Sequence, residues 1–320
     1  MEDSQRIWQI SGGPSKWPYG EVFLKHGVAL VGPGDAGPWR RDDPQPGLWP
    51  DAVWRFATEV RSGDIMLLRV GTATITAIGL VAGDYVYLPQ FDDVNGWALP
   101  HARRVRWFGL PAPYTFEERV FGAYTAALGR VNAPALVDYA ARFLQSPPTA
   151  WQNAPLPPLP PEEPALEIEA VPASLQALTA QVQDLGALYG NPTAFGEPPS
   201  ESELVTHYVV PFLCALGWPP ELIALQWRDT DVCLFRRLPR APENCFLVVE
   251  AKRPGVGAES ALEQALEYLV DLGIRCDVLV TDGFRYRLYG AERKFTPVAY
   301  ANLARLKQPA LDLFARLKRT

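Results

Sequence analysis

Histidine and methionine are scarce in this chain, with three and two residues among 320, and its four cysteines include no CxxC pair. His26, His101 and His207 lie far apart, and none neighbours Cys214, Cys233, Cys245 or Cys276, so the ligand spacing of a zinc site is missing. Unpaired thiols of this kind fit a reducing, cytoplasmic setting. No apolar run approaches the roughly 20 residues that span a bilayer, which argues against a membrane partner. The opening MEDSQRIWQI is acidic and has neither the basic start nor the apolar core of a secretion signal, so a cytoplasmic location is expected. The phosphate-cradling pattern GxxxxGK(S/T) is also absent, which excludes an ATP-driven motor of that type.

Excess positive charge is lacking too. A net charge of -6 argues against a protein that coats nucleic acid indiscriminately. The charge is uneven, however. The segment EEPALEIE is purely acidic, whereas basic residues collect at Arg103, Arg104 and Arg106, at Arg236, Arg237 and Arg240, at Lys252 and Arg253, and at Arg285 and Arg287. Such clusters could hold a phosphate backbone, or could simply be solvated surface.

Proline is abundant where the chain divides. QSPPTAWQNAPLPPLPPEEPALEIEAVP, residues 146–172 with the preceding glutamine, fixes φ and removes backbone donors, so no helix or sheet can run through it. It reads as a semi-extended linker of about 3 Å per residue. Before it, residues 1–112 carry short β-prone runs (DIMLLRVG, ATITAIGLVAG, YVYL, RVRWF) between turn signals, the pattern of a compact β-barrel. Residues 113–145 have helical spacing in two pieces, and residues 173–320 alternate helix and strand, which describes an α/β fold with a mixed sheet. The expected architecture is two-domain α+β.

The chemistry concentrates in the second domain. In the strand CFLVVEAKR the period of two sends Glu250 and Lys252 to the same face. Burying both is costly unless they pair or bind something; a structural ion pair at a strand end is the alternative. Asp231 opens the preceding strand, TDVCLF. If the two strands are neighbours, Asp231 and Glu250 form a hard oxygen site for Mg2+ or Mn2+. Lys252 beside such a metal could orient or deprotonate a water, or neutralise phosphate charge. Gln264 and Tyr268 share a face of the helix AESALEQALEYLVDLG, off its leucine stripe. Glu203 could reach the metal from the domain's first helix, with Glu201 as the other candidate. Ser200-x-x-Glu203 also has the form of a capping box.

Taken together, SESELVTHYVVPFLCALGW, TDVCLF, VVEAKRP, EQALEY and VTDGFRYRLYG resemble the PD-(D/E)XK nuclease domain at the N-terminus of type I restriction enzyme R subunits. The resemblance implies a restriction-endonuclease-like fold with Asp231 and Glu250 as metal ligands, Lys252 as the catalytic lysine, and Gln264 and Tyr268 in support. The helicase that follows in those subunits is absent here.

Seven of the ten tryptophans precede residue 108. Some belong to the core, while others could wall a pocket for an unstacked base. RSGDIMLLRVGTATITAIGLVAGDYVY followed by GWALPHARRVRWF resembles the EVE branch of the PUA-like superfamily, small barrels that bind nucleic acid and often modified bases. Trp17, Trp39 and Trp54 are the candidate base-binding residues. Arg103, Arg104, Arg106 and Arg253 are the candidate phosphate contacts. The two resemblances imply a modification-dependent endonuclease of restriction or antiviral defence, acting on double-stranded DNA with modified bases as a homodimer. The rival readings are a nuclease subunit that needs a partner ATPase, and a non-catalytic binder of modified nucleic acid.

Overall fold

The computed structural model describes residues 5–13, 18–32, 37–40, 51–94, 97–121, 127–148, 151–189, 199–253 and 260–319. The chain divides into two compact units, Met1–Glu162 and Glu163–Thr320, each with a mixed sheet, so the architecture is α+β. Among the described residues no helix is long and apolar enough to cross a membrane.

The first unit holds β1 (Ile7–Ser11), α1 (Gly20–His26), β2 (Val28–Val31), α2 (Asp51–Thr58), β3 (Ile65–Val70), β4 (Thr74–Tyr87), β5 (His101–Thr115), β6 (Leu128–Arg130) and α3 (Pro134–Gln145). Its strands run in the order β2-β5-β4-β3-β1-β6, with β1 and β3 parallel and the other neighbours antiparallel. The near-unbroken apolar run IMLLRV of β3 follows from burial on both faces. Met66 and Leu68 enter one core with Trp8, Phe23 and Val105. Ile65 and Leu67 enter a second with Ile78, Phe121 and Trp151.

Two expectations are corrected here. Among the described residues the sheet does not close into a barrel: β2 and β6 are its edges, and register shifts in β4 bend it instead. Among the described residues of 113–145 helix is present in α3 alone, and the part of the helical reading on residues 122–126 lies outside the described residues. β5 continues to Thr115, and Phe116, Val120 and Phe121 then donate backbone bonds to Ala73 and Thr72, drawing Phe121 into the second core. Burial of that aromatic outweighs the local helical spacing.

The proline-rich segment is fastened along most of its length. The Trp151 indole is buried and donates to the Arg106 carbonyl at 2.9 Å. Arg106 Nε donates to the Ala154 carbonyl, Arg104 Nη2 to that of Pro157, and His26 Nδ1 lies 3.1 Å from that of Pro158. A proline-rich backbone makes few bonds of its own, so its carbonyls are open to guanidinium donors. Beyond the unit boundary, Ala165 bridges Lys307 and Leu166 donates to Leu306.

The second unit holds α4 (Ala173–Tyr189), then α5, composed of Glu201–Leu204, a π-helical turn Val205–Val209 and Val210–Ala215. β7 (Ile223–Leu225), β8 (Val232–Phe235), β9 (Cys245–Ala251), α6 (Ser260–Leu272), β10 (Asp277–Thr281), β11 (Arg285–Gly290), β12 (Thr296–Asn302) and α7 (Ala310–Leu317) follow. Pro211 explains the π turn: it has no N–H for the ladder and its ring would strike the carbonyl of residue 207 in a regular α-helix. Leu204, Tyr208, Phe212 and Leu216 are all buried, as one apolar stripe requires. The sheet order is β12-β11-β10-β9-β8-β7. Among the described residues of this sheet only β9 and β10 pair in parallel, and α6 lies in the crossover that parallel pairing needs.

Candidate active site at the β8–β9 edge

Antiparallel pairing of Val232 with Val249 sets Asp231 opposite Glu250. The Asp231 backbone N–H donates to Glu250 Oε1 at 3.3 Å, and Asp231 Oδ2 accepts from the Ala251 N–H at 2.8 Å. The two carboxylates are thus laced together by main-chain donors. Glu250 is 0% exposed, and its Oε2 is buried without a hydrogen-bond partner. Burial first, and the neighbouring Asp231 second, push its carboxyl up to about 8.

Lys252 continues the ladder, its N–H donating to the Thr281 carbonyl at 2.8 Å. Its Nζ lies 3.8 Å from Glu201 Oε2 at the start of α5. Glu203 is occupied otherwise. Its carboxylate accepts from Ser200 N–H at 2.7 Å while Ser200 Oγ accepts from Glu203 N–H, a complete capping box, and those bonds lower its pKa. The structure therefore brings Glu201, not Glu203, to the lysine. Gln264 Nε2 donates to the Tyr268 hydroxyl at 2.7 Å on α6. Arg253 is exposed beside Lys252.

The donors present fit a divalent cation. Two carboxylates meet and one buried oxygen has no hydrogen-bond partner, the donor set a hard cation would use. No group of three or more His, Cys, Asp and Glu occurs among the described residues. A hard cation here would complete its shell with main-chain oxygen and water, as Mg2+ ordinarily does. The loop that delivers Asp231 is strained: Gln226, Arg228 and Asp229 have φ of 47°, 51° and 70°. Left-handed non-glycine residues cost about 1–3 kcal/mol each and cluster at functional sites.

In the first unit Arg103, Arg104 and Arg106 each bond main-chain carbonyls. Arg103 is 3% exposed and donates to the carbonyls of Phe56, Ala57 and Gly83, closing the C-terminal end of α2. Arg104 and Arg106 are half-buried and donate to the carbonyls of Gly27, Pro157 and Ala154. Trp17 lies outside the described residues. Trp54 is half-buried on α2. Trp39 belongs to an aromatic cluster: its backbone N–H donates to the Tyr85 hydroxyl at 3.0 Å, which lies 2.8 Å from His101 Nδ1, and Tyr87 packs edge-on to His101. Burial pushes the Tyr85 hydroxyl up to about 12. Tyr85 and Tyr87 escaped the sequence reading, although the alternation in YVY put both on one face.

Residues 36–119 match a family described as a domain of unknown function, DUF8426. No curated protein matches the chain. Among solved structures, a fragment assigned as an HsdR subunit of a type I restriction enzyme from Vibrio vulnificus YJ016 is similar at 20% identity and a TM-score of 0.26. That likeness covers 37% of this chain and 25% of the other, so the chain spans about a quarter of that structure's length. A score this low carries no argument about fold or activity, and the chemistry rests on the residues at the β8–β9 edge.

Proposed function

We propose that the chain is a divalent-metal-dependent endonuclease of the PD-(D/E)XK kind that acts on double-stranded DNA carrying modified bases. The observation that carries the reading is the pairing of Asp231 with a fully buried, incompletely partnered Glu250 on a strand whose alternation places Lys252 beside it. Asp231 and Glu250 would hold Mg2+ or Mn2+. Bound there, the cation would polarise a phosphodiester and lower the pKa of a water.

The chain's own groups supply the remainder. Lys252 orients the attacking water or meets charge developing on the phosphate. Glu201, 3.8 Å away, holds the ammonium in place. Gln264, aligned by Tyr268, offers an amide to a phosphate or to Lys252. In the first unit Trp39, Tyr85 and Tyr87 are half-buried around the fully buried His101, with Trp39 edge-on to Tyr85 and Tyr87 edge-on to His101. Such an aromatic group could hold an unstacked base, in keeping with the EVE/PUA-like reading of that unit.

The test is Mg2+-dependent cleavage of matched DNAs that are unmodified, cytosine-methylated, hydroxymethylated or glucosylated, with Lys252→Ala as control. Cutting confined to one modified DNA and lost in the variant supports both halves of the proposal. No cutting of any of them by folded, metal-supplied protein rejects the stand-alone enzyme.

A further inference from the structure

We infer that the turn between β8 and β9 is a phosphate-backbone contact of the second unit, gripping double-stranded DNA at a distance from the paired carboxylates. The turn carries Arg236, Arg237 and Arg240, all exposed. Each guanidinium is already held in place, and every acceptor that holds it is neutral. Arg236 Nη1 donates to the Cys245 carbonyl at 2.8 Å, and its guanidinium lies 5.3 Å from the centre of the Phe246 ring. Arg237 Nε donates to Asn244 Oδ1 at 3.0 Å, and Arg240 donates to the carbonyls of Pro220, Glu221 and Ile223. Among the described residues none of the three meets a carboxylate, whereas the exposed Arg275 and Arg316 are paired with Glu292 and Asp312. Glu243 is the turn's one acid, so residues 236–245 keep a net charge of +2. Neutral acceptors order these side chains before binding and leave their charge uncompensated, which is what a run of phosphates requires.

The position suits a duplex. Asp231 and Glu250 sit at the other end of the same hairpin. Five residues of strand separate Asp231 from Arg236, roughly 17 Å at about 3.3 Å each. A duplex running along the hairpin would cover that distance in about five base pairs. An acidic polypeptide would meet the same charge at the turn, but the carboxylate end would repel it. The choice of ligand rests on the proposed function, while the test is read in binding and not in cleavage.

The experiment is fluorescence anisotropy of the full-length protein on an unmodified duplex of about 30 base pairs, without metal, across a range of KCl. Combining Arg236→Gln, Arg237→Gln and Arg240→Gln should weaken binding at least about tenfold and flatten the slope of log affinity against log salt by about 2–3. The corresponding triple lysine variant keeps the charge and should keep the slope to within about 1. Should the glutamine variant lose its circular dichroism, Arg237→Gln alone, which strands no main-chain carbonyl, should flatten the slope by about 1. A wild type that binds no duplex, a folded glutamine variant with the wild-type slope, or a lysine variant that falls as far as the glutamine one would each overturn the inference. Arginine-dependent binding without cleavage on any metal would retire the nuclease reading and leave this one standing. Cleavage together with an unchanged slope in the glutamine variant would do the reverse.

Discussion

Arg103 in the first unit and Glu250 in the second are both buried ionisable groups, and burial moves both pKa values, the arginine down to about 10 and the glutamate up to about 8. Arg103 spends its guanidinium on three carbonyls at 2.9–3.2 Å. Glu250 leaves one carboxylate oxygen with nothing. A buried charge with a full set of neutral acceptors is a brace. A buried carboxyl short of partners, beside a second carboxylate, is the kind of place where the proposed cation would sit.

Breaking the second case should have the largest effect. Lys252→Ala should lower cleavage about a hundred- to a thousandfold, as lost transition-state stabilisation does, while DNA affinity in a filter-binding assay stays nearly constant. Equal loss of both would make Lys252 a structural ion-pair partner. Next in size, Arg103→Ala should cost about 3 kcal/mol in urea unfolding, since it strands three carbonyls. A variant within about 0.5 kcal/mol of wild type would end its role as a brace.

Glu250→Gln sharpens the contrast through pH. A carboxyl raised from 4.5 to about 8 binds its proton more tightly in the folded state. Its favourable contribution is complete below about pH 4.5 and lost as pH rises through about 8. The metal-free Gln variant should therefore melt above wild type at pH 8–9, with the gap closing by pH 4.5, and should be inactive at every pH. Mg2+ should raise the melting temperature of wild type and not of the variant. The smallest effect should come from Ser200→Ala, about 1 kcal/mol with cleavage retained, because the capping box serves the helix and not the reaction.

The second unit was the more legible because its chemistry follows strand periodicity. Alternation in VVEAKR and the position of Asp231 before TDVCLF were enough to pair the carboxylates once β8 and β9 became neighbours. The carbonyl partners of Arg103, Arg104 and Arg106 were not legible, because sequence shows a guanidinium's charge but not which carbonyls surround it. The choice between Glu201 and Glu203 turned on a similar point. The capping box was visible in the sequence, but only the geometry showed that Ser200 holds the Glu203 carboxylate and leaves Glu201 facing Lys252. From Thr115 to Phe121 the helical spacing yielded to burial of Phe121.

Arg104 and Arg106 also bear on reach. By clasping the proline-rich segment through Ala154 and Pro157, they shorten the unanchored chain to the few residues between Leu159, packed in the first core, and Ala165, bridged to Lys307. If the chain works as proposed above, a tether that short would raise the effective concentration of the second unit near any base the first unit holds. Loosening the clasp would then slow and scatter scission without a change to either site.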